Sequence, residues 1–280
     1  MAKKRDDKVD MWIRQGTEHD SPIGAYLQET YWNIVKAMRL SSSDWKDMAK
    51  VFANDDRYRG RSTAEPNERL SRLATALTSG NMPGVGVDLT WKRFIEGLVL
   101  LGIDTLTITM EGKRGKFASK ARVSASCHPH LDLLKTINKE DEEQIRRSAS
   151  NALNHYFENP RHTATRIMEH VLLKLLWGFF AEYNIRADMW RRLAAAYVNN
   201  PKNCPALSNR RSDMRHNLES AIRFTKKLTW KRFLQALKAM DMREVTCVFL
   251  VRDSRGWEHE VTLPIDLTTL VLRSNTDGTE

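Results

Sequence analysis

Leu89-Thr-Trp-Lys-Arg-Phe94 recurs unchanged as Leu228-Thr-Trp-Lys-Arg-Phe233, 139 positions further along a chain of 280 residues. A six-residue identity that includes a tryptophan is not an accident of composition, and the match continues in both directions. At the same offset Ile103, Leu106, Thr107 and Ile108 stand opposite Met242, Val245, Thr246 and Cys247. Upstream the offset becomes 145 and pairs Trp45-Lys-Asp-Met-Ala49 with Trp190-Arg-Arg-Leu-Ala194. It also pairs Trp32 with Trp177, Phe52 with Tyr197, Asn54 with Asn199, and Leu73, Ala76 and Leu77 with Leu218, Ala221 and Ile222. The change of offset falls in one place, where eleven residues separate Leu77 from Leu89 and five separate Ile222 from Leu228. Insertions of that kind belong in surface loops. The chain therefore reads as two tandem homologous units, 22–126 and 163–266. A period this long marks a duplicated domain and not a solenoid.

Both units carry the same order of signals. An apolar helix, Ala25–Leu40 or His170–Tyr183, comes first. A second helix starts after Ser43-Asp44 or Ala187-Asp188, where the side chains can cap free N–H groups. A third covers Asn67–Leu77 or Ser212–Thr225. A fourth starts at Thr90 or Thr229, and Trp91, Phe94, Leu98 and Leu101 fall on one face of it. Thr105–Met110 and Val245–Val251 then alternate with the period of a strand. Turns follow at Glu111–Gly115 and Arg252–Gly256, with return strands at Ala121–Ala125 and His259–Leu263. The expected fold is α+β and mostly helical, with about four helices followed by a β-hairpin in each unit, an order that is winged-helix-like. Residues 1–21 and 267–280 read as flexible tails, and 127–162 as a charged, partly helical linker.

Composition bounds the function. Apolar residues make up 41% and charged residues 29%, which folds readily. The longest apolar stretch, Val171–Ala181, contains Lys174 and is too short to span a bilayer, so no membrane partner is expected. The opening Met-Ala-Lys-Lys-Arg-Asp-Asp-Lys leads into no apolar segment of a secretory signal. Three cysteines, far apart and odd in number, suit a reducing, cytoplasmic setting.

The net charge is +10, and its distribution points to phosphate. Between Glu111 and Arg122 the first hairpin carries Lys113, Arg114, Lys116, Lys120 and Arg122 against Glu111 alone. Arg186–Arg232 holds 12 basic and 3 acidic residues, whereas the equivalent Ser41–Arg93 holds 9 and 7. Clustered cations bind nucleic acid because each phosphate contact releases condensed counterions. The candidate nucleic-acid-binding residues are Lys92, Arg93, Lys113, Arg114, Lys116, Arg191, Arg192, Arg210, Arg211, Arg215, Lys231 and Arg232. Trp91, Phe94, Trp230 and Phe233 read as core anchors, since a Trp and a Phe three apart at a helix start need only packing to explain them.

Other motifs lead to less. Cys127-His-Pro-His130 lacks the second ligand pair that would close a tetrahedral zinc site. Pro83-Gly-Val-Gly-Val87 lacks the Lys-Ser/Thr of a phosphate loop. Asp141-Glu-Glu143 would point in different directions on a helix. No spacing supports a nucleophile and its base. The expectation is a chain with no catalytic residues, no metal and no cofactor.

The Leu-Thr-Trp-Lys-Arg-Phe helix followed by a hairpin resembles small accessory proteins of tailed bacteriophages, which carry Leu/Met-Thr-Trp-Lys-x-Phe before a short hairpin with a Gly turn. The matching pieces are 89–101 with 106–123 and 228–240 with 245–263. The resemblance implies a phage-encoded protein working in the bacterial host cytoplasm, and it implies no activity. The expected function is a non-enzymatic nucleic-acid-binding accessory or regulatory protein, contacting DNA or RNA through phosphates. The alternatives are a modulator of a host protein in the transcription or defence machinery, or a virion component.

Overall fold

Thr90 and Thr229 cap their helices through the same bond. In the computed structural model, the Thr90 hydroxyl accepts from the Arg93 N–H at 3.2 Å and the Thr229 hydroxyl from the Arg232 N–H at 3.2 Å. The structure describes residues 7–17, 22–58, 64–78, 89–116, 118–130, 170–203, 208–221 and 228–270. Its helices in the first half are α1 (Asp7–Thr17), α2 (Pro22–Ala37), α3 (Ser42–Asn54), a 3₁₀ turn at Asp56–Tyr58, α4 (Pro66–Thr78) and α5 (Trp91–Leu100). Strands β1 (Ile103–Arg114) and β2 (Lys120–Cys127) follow. The second half repeats the order with α6 (His170–Glu182), α7 (Ala187–Asn199), α8 (Ser208–Ala221), α9 (Trp230–Ala239), β3 (Met242–Asp253) and β4 (Glu258–Asp266). The four strands form one antiparallel sheet in the order β2–β1–β3–β4. The fold is α+β.

Element boundaries correspond closely between the halves. α3 and α7 both begin and end 145 positions apart, and α5 and α9, like β1 and β3, do so at 139. Buried residues of α5 (Trp91, Phe94, Ile95, Glu96, Gly97, Leu98, Leu100) match those of α9 (Trp230, Phe233, Leu234, Gln235, Ala236, Leu237, Ala239) position for position. Trp32 and Trp177 are both buried. Helix exits match as well: Arg39 and Asn184 have left-handed φ of 57° and 48°, and Gly102 and Asp241 have 71° and 63°. The loops that differ in length between the halves, 79–88 and 222–227, lie outside the described residues.

The chain divides into two compact units that interleave along the sequence. One comprises Met1–Thr107, Ser126–Lys135 and Val248–Leu263; the other comprises Ile108–Ala125, Thr136–Cys247 and Pro264–Glu280. Helices α1–α5 thus share a unit with the distal part of the second hairpin, and α6–α9 with the distal part of the first. In the first unit, Phe249 meets Phe94 edge-on at 5.8 Å. An aromatic cluster of Trp12, Tyr31, Trp32 and Trp45 fills the space between α1, α2 and α3. Two of its buried indole donors find partners: Trp45 Nε1–H donates to the Tyr31 hydroxyl and Trp32 Nε1–H to the Leu77 carbonyl, each at 2.7 Å. In the second unit, Phe180 packs on Trp190 at 4.9 Å, and the Tyr183 hydroxyl donates to the Gly112 carbonyl at 2.7 Å. Val123 of β2 sits against Gly178 of α6, where a Cβ would come within 2.9 Å.

Several local expectations are corrected. Residues 7–17, taken as tail, form α1, because Val9 and Trp12 lie three apart on one face and are buried. Leu267 and Leu270, also assigned to a tail, are buried, and the Leu267 N–H donates to the Arg243 carbonyl. The remaining tail residues 1–6, 18–21 and 271–280, and 131–162 of the linker, lie outside the described residues. Ser41 caps α3, in a reciprocal box with Asp44, and Arg186 occupies the start of α7 with no side-chain cap. The strands run longer than their alternation suggests. Gly112 is a strand residue and not part of a turn: Met242 and Val245 crowd the place where its side chain would be.

Candidate functional site

α5 presents Lys92 and Arg93 just after its Thr90 cap, on the side away from Trp91 and Phe94, which are buried. These two cations border a cleft of about 210 Å³ with Arg69 and Arg72 of α4. The pairing follows from helix geometry, because Arg69 and Arg72 are three apart on α4 and Leu73, one turn after Arg69, faces the same cleft while the buried Leu77 anchors the helix. Phe52 and Ala53 of α3, Tyr58, Ala64, Leu73 and Glu96 complete the lining. Every one of these residues belongs to the first compact unit.

Glu96 is the acid inside the cleft. It is 8% exposed, and Arg93 Nη1 donates to its Oε2 at 2.6 Å while Lys92 Nζ lies 3.7 Å from Oε1. Arg72 pairs with Glu68 one turn earlier on α4. Arg69 is more deeply set, its side chain only 13% exposed. Its guanidinium is 3.8 Å from Asp56, and its Nε–H is buried with no hydrogen-bond partner.

An aromatic wall stands beside the cations. Phe52 and Tyr58 stack with centroids 4.8 Å apart and planes 20° from parallel. The Tyr58 hydroxyl and His130 Nδ1 are 2.5 Å apart, which holds the ring in place. Burial pushes the Tyr58 hydroxyl above its ordinary range. The Arg57 guanidinium lies 5.6 Å from the Tyr58 ring centroid and is held by Asp55, whose carboxyl those hydrogen bonds lower. His128, the other histidine of the Cys-His-Pro-His run, approaches the Asp104 carbonyl at 3.3 Å, and Cys127 is buried.

The remaining sequence-predicted residues do not join this cleft. Lys113 and Lys116 are exposed on the first hairpin, in the second compact unit. Arg114, on the same hairpin, donates from Nε to the Met240 carbonyl at 3.2 Å, which gives it a part in the fold. Lys120 pairs with Glu111 and lowers its carboxyl. Arg191 and Arg192 are exposed on α7, with Arg192 3.1 Å from Asp188. Arg215 pairs with Glu219 at 2.9 Å, and the buried Arg211 Nε–H has no hydrogen-bond partner. The Arg210 side chain lies outside the described residues. Lys231 and Arg232 are half-buried on α9, where Gln235 stands at the position that Glu96 has on α5. Sequence reasoning missed Arg69 and Arg72. Their i, i+3 spacing on a helix anchored by Leu73 was the available signal, but the acids nearby in sequence hid it.

Among the described residues no helix is long and apolar enough to cross a membrane, and no group of His, Cys, Asp and Glu could hold a metal ion. No family model, no curated protein and no solved structure matches the chain.

Proposed function

We propose that this protein is a non-enzymatic nucleic-acid-binding accessory or regulatory factor, phage-encoded and acting in the cytoplasm of the bacterial host, that holds phosphates at the cleft between α4 and α5. The observation that carries the reading is the convergence of Arg69, Arg72, Lys92 and Arg93 on one recess whose lining contains a single carboxylate, Glu96, while Glu68 and Asp56 reach Arg72 and Arg69 from outside that lining. Cations gathered in this way gain affinity by displacing counterions from a polyanion. The exposed Lys113 and Lys116 add positive charge on the first hairpin.

The chain on this reading is a tandem duplication. The equal offsets of α3 and α7, α5 and α9, and β1 and β3 support it, as do the matched burial and the repeated left-handed exits. Helices followed by a hairpin is the order of a winged helix. The likeness extends to element order only, because β1 and β3 are neighbours in one sheet.

Surface chemistry favours phosphate over the alternative of an apolar-centred protein interface. Among the described residues the exposed large hydrophobics are Met11 and Val51 alone. A protein-binding patch concentrates apolar and aromatic side chains at its centre.

The test is fluorescence anisotropy of labelled mixed-sequence oligonucleotides across a salt series. The variants are Arg72→Ala/Lys92→Ala in the cleft and Lys113→Ala/Lys116→Ala on the hairpin. The cleft variant should lower the slope of log K against log salt by about one for each phosphate it no longer neutralises. Absence of binding by the wild type at low salt would overturn the reading in favour of a host-protein target. An unchanged slope in the cleft variant would move the site elsewhere on the chain.

A further inference from the structure

The shape of the cleft says more than its charge. We infer that it accepts one unstacked nucleotide of a single strand, so that the ligand is single-stranded nucleic acid and not duplex; this rests on the nucleic-acid reading above. Duplex DNA offers its phosphates on a convex rod, and proteins meet it with protruding helices, ribbons or loops. Here Arg69 sits within a recess, with Lys92 and Arg93 half-exposed at its border and Arg72 exposed on its rim. Arg69, the most buried of them, lies among Phe52, Ala53, Tyr58 and Leu73, and a phosphate must enter the recess to reach it. At about 210 Å³ the recess is smaller than the roughly 300–1,000 Å³ of a site for a drug-sized ligand. It takes one compact group at a time, which a splayed single strand can supply and a stacked duplex cannot.

The composition of the walls fits the same ligand. A nucleotide has an anionic end and a flat, mostly apolar end. The cleft places guanidinium and ammonium groups beside a stacked Phe52–Tyr58 pair. Single-strand sites combine cationic grooves with aromatic side chains in this way, and a base–aromatic contact contributes about 1–3 kcal/mol, or roughly 5- to 150-fold in affinity. The Tyr58–His130 contact keeps the aromatic wall in place in advance, so that little ordering is required when a base arrives.

The experiment uses the full chain and a fluorescein-labelled 12-nucleotide mixed-sequence DNA. The strand is presented alone, as its RNA equivalent, and annealed to its complement, all at one low salt concentration. Either single strand should bind at least tenfold more tightly than the duplex. Tyr58→Ala should reduce single-strand affinity about 5- to 150-fold and leave the weak duplex binding unchanged. Arg69→Gln should reduce single-strand binding as well. Because Arg69 is packed, Arg72→Ala, at an exposed site, serves as the second cationic variant, and circular dichroism melts establish that each variant folds. Equal or tighter binding of duplex, with Tyr58→Ala without effect, would overturn this inference and leave the nucleic-acid reading intact. Failure of all three probes to bind would remove that reading itself.

Discussion

Phe249 belongs by number to the second hairpin, yet it is fully buried in the compact unit that contains α1–α5, with its ring edge-on to Phe94 at 5.8 Å. Phe249→Ala should therefore destabilise helices roughly 150 positions and more away in sequence. Removing about 150 Å² of buried ring at roughly 25 cal/mol per Å² costs about 4 kcal/mol. That lies within the roughly 3–5 kcal/mol typical of buried Phe→Ala changes, where incomplete collapse of the cavity and loss of the aromatic pair are already included. Native-state hydrogen exchange read by mass spectrometry is the suitable assay, because it resolves which amides open. Peptides of α5 and α2 should lose protection by about that amount. Val123→Ala provides the mirror experiment: Val123 packs on Gly178 in the other unit, so α6 should lose protection first. If Phe249→Ala leaves α5 fully protected and loosens only 170–247, the interleaving of the units is wrong.

Three further outcomes follow from single side chains. Tyr31→Phe removes the acceptor of the buried Trp45 Nε1–H and should cost about 1–3 kcal/mol at neutral pH, measured by urea unfolding. Burial also raises the Tyr31 hydroxyl pKa above its ordinary value of 10.0, so the unfolded chain loses this proton first. Its contribution is complete below pH 10 and falls as pH rises above it, and Tyr31→Phe should flatten the loss of stability between about pH 9.5 and 11 relative to wild type. Gly97→Ala would bring a Cβ to 2.6 Å from Tyr31 Cε2, and the overpacking should lower stability by about 1–3 kcal/mol in thermal melts. Glu96→Gln, which leaves Lys92 and Arg93 without their internal counterion, should tighten oligonucleotide binding and steepen its salt dependence; weaker binding would mean that Glu96 aims those cations instead of competing for them.

What the sequence disclosed depends on whether the physics is local. Thr90 and Thr229 cap helices through bonds three residues long, and Trp91, Phe94, Trp230 and Phe233 are buried because their spacing puts them on one face. Alternation in 105–110 and 245–251 marked strands correctly but stopped short of their ends, since Gly112 is accommodated by the close approach of Met242 and Val245 from β3. That approach is a long-range fact. So is the assignment of Val248–Leu263 to the unit of α1–α5, which no linear reading of a tandem repeat suggests. At the site, Lys92 and Arg93 were legible because they flank core anchors. Arg69 and Arg72 were not, because across 55–72 Asp55, Asp56, Glu65 and Glu68 nearly offset the five basic residues of that stretch. In three dimensions Asp55 pairs with Arg57, and neither residue lines the cleft, so the charge facing the cleft is not the charge of the segment.

That difference bears on where two copies of one unit would diverge. On the proposed duplication, Lys92 and Arg93 have identical counterparts in Lys231 and Arg232, and Leu73 has its counterpart in the buried Leu218. At the 145-residue offset, however, Arg69 and Arg72 correspond to Met214 and Asn217, and at 139 Glu96 corresponds to Gln235. The shared residues are those that packing requires together with two cations beside them. Arg69, Arg72 and Glu96 of the recess thus have no charged counterparts in the second copy. The second copy has the larger excess of positive charge between 186 and 232, but its described cations include Arg192 and Arg215 spread over separate helices, α7 and α8. Dispersed charge of that kind strengthens long-range attraction to a polyanion and fades within about 10 Å at roughly 0.1 M salt, whereas a recess retains its contacts. On the proposed nucleic-acid reading, the first copy would hold the ligand and the second would raise its local concentration. Neutralising Arg191 and Arg192 together should accordingly slow association without changing the preference for single strand over duplex, while Arg72→Ala should change that preference.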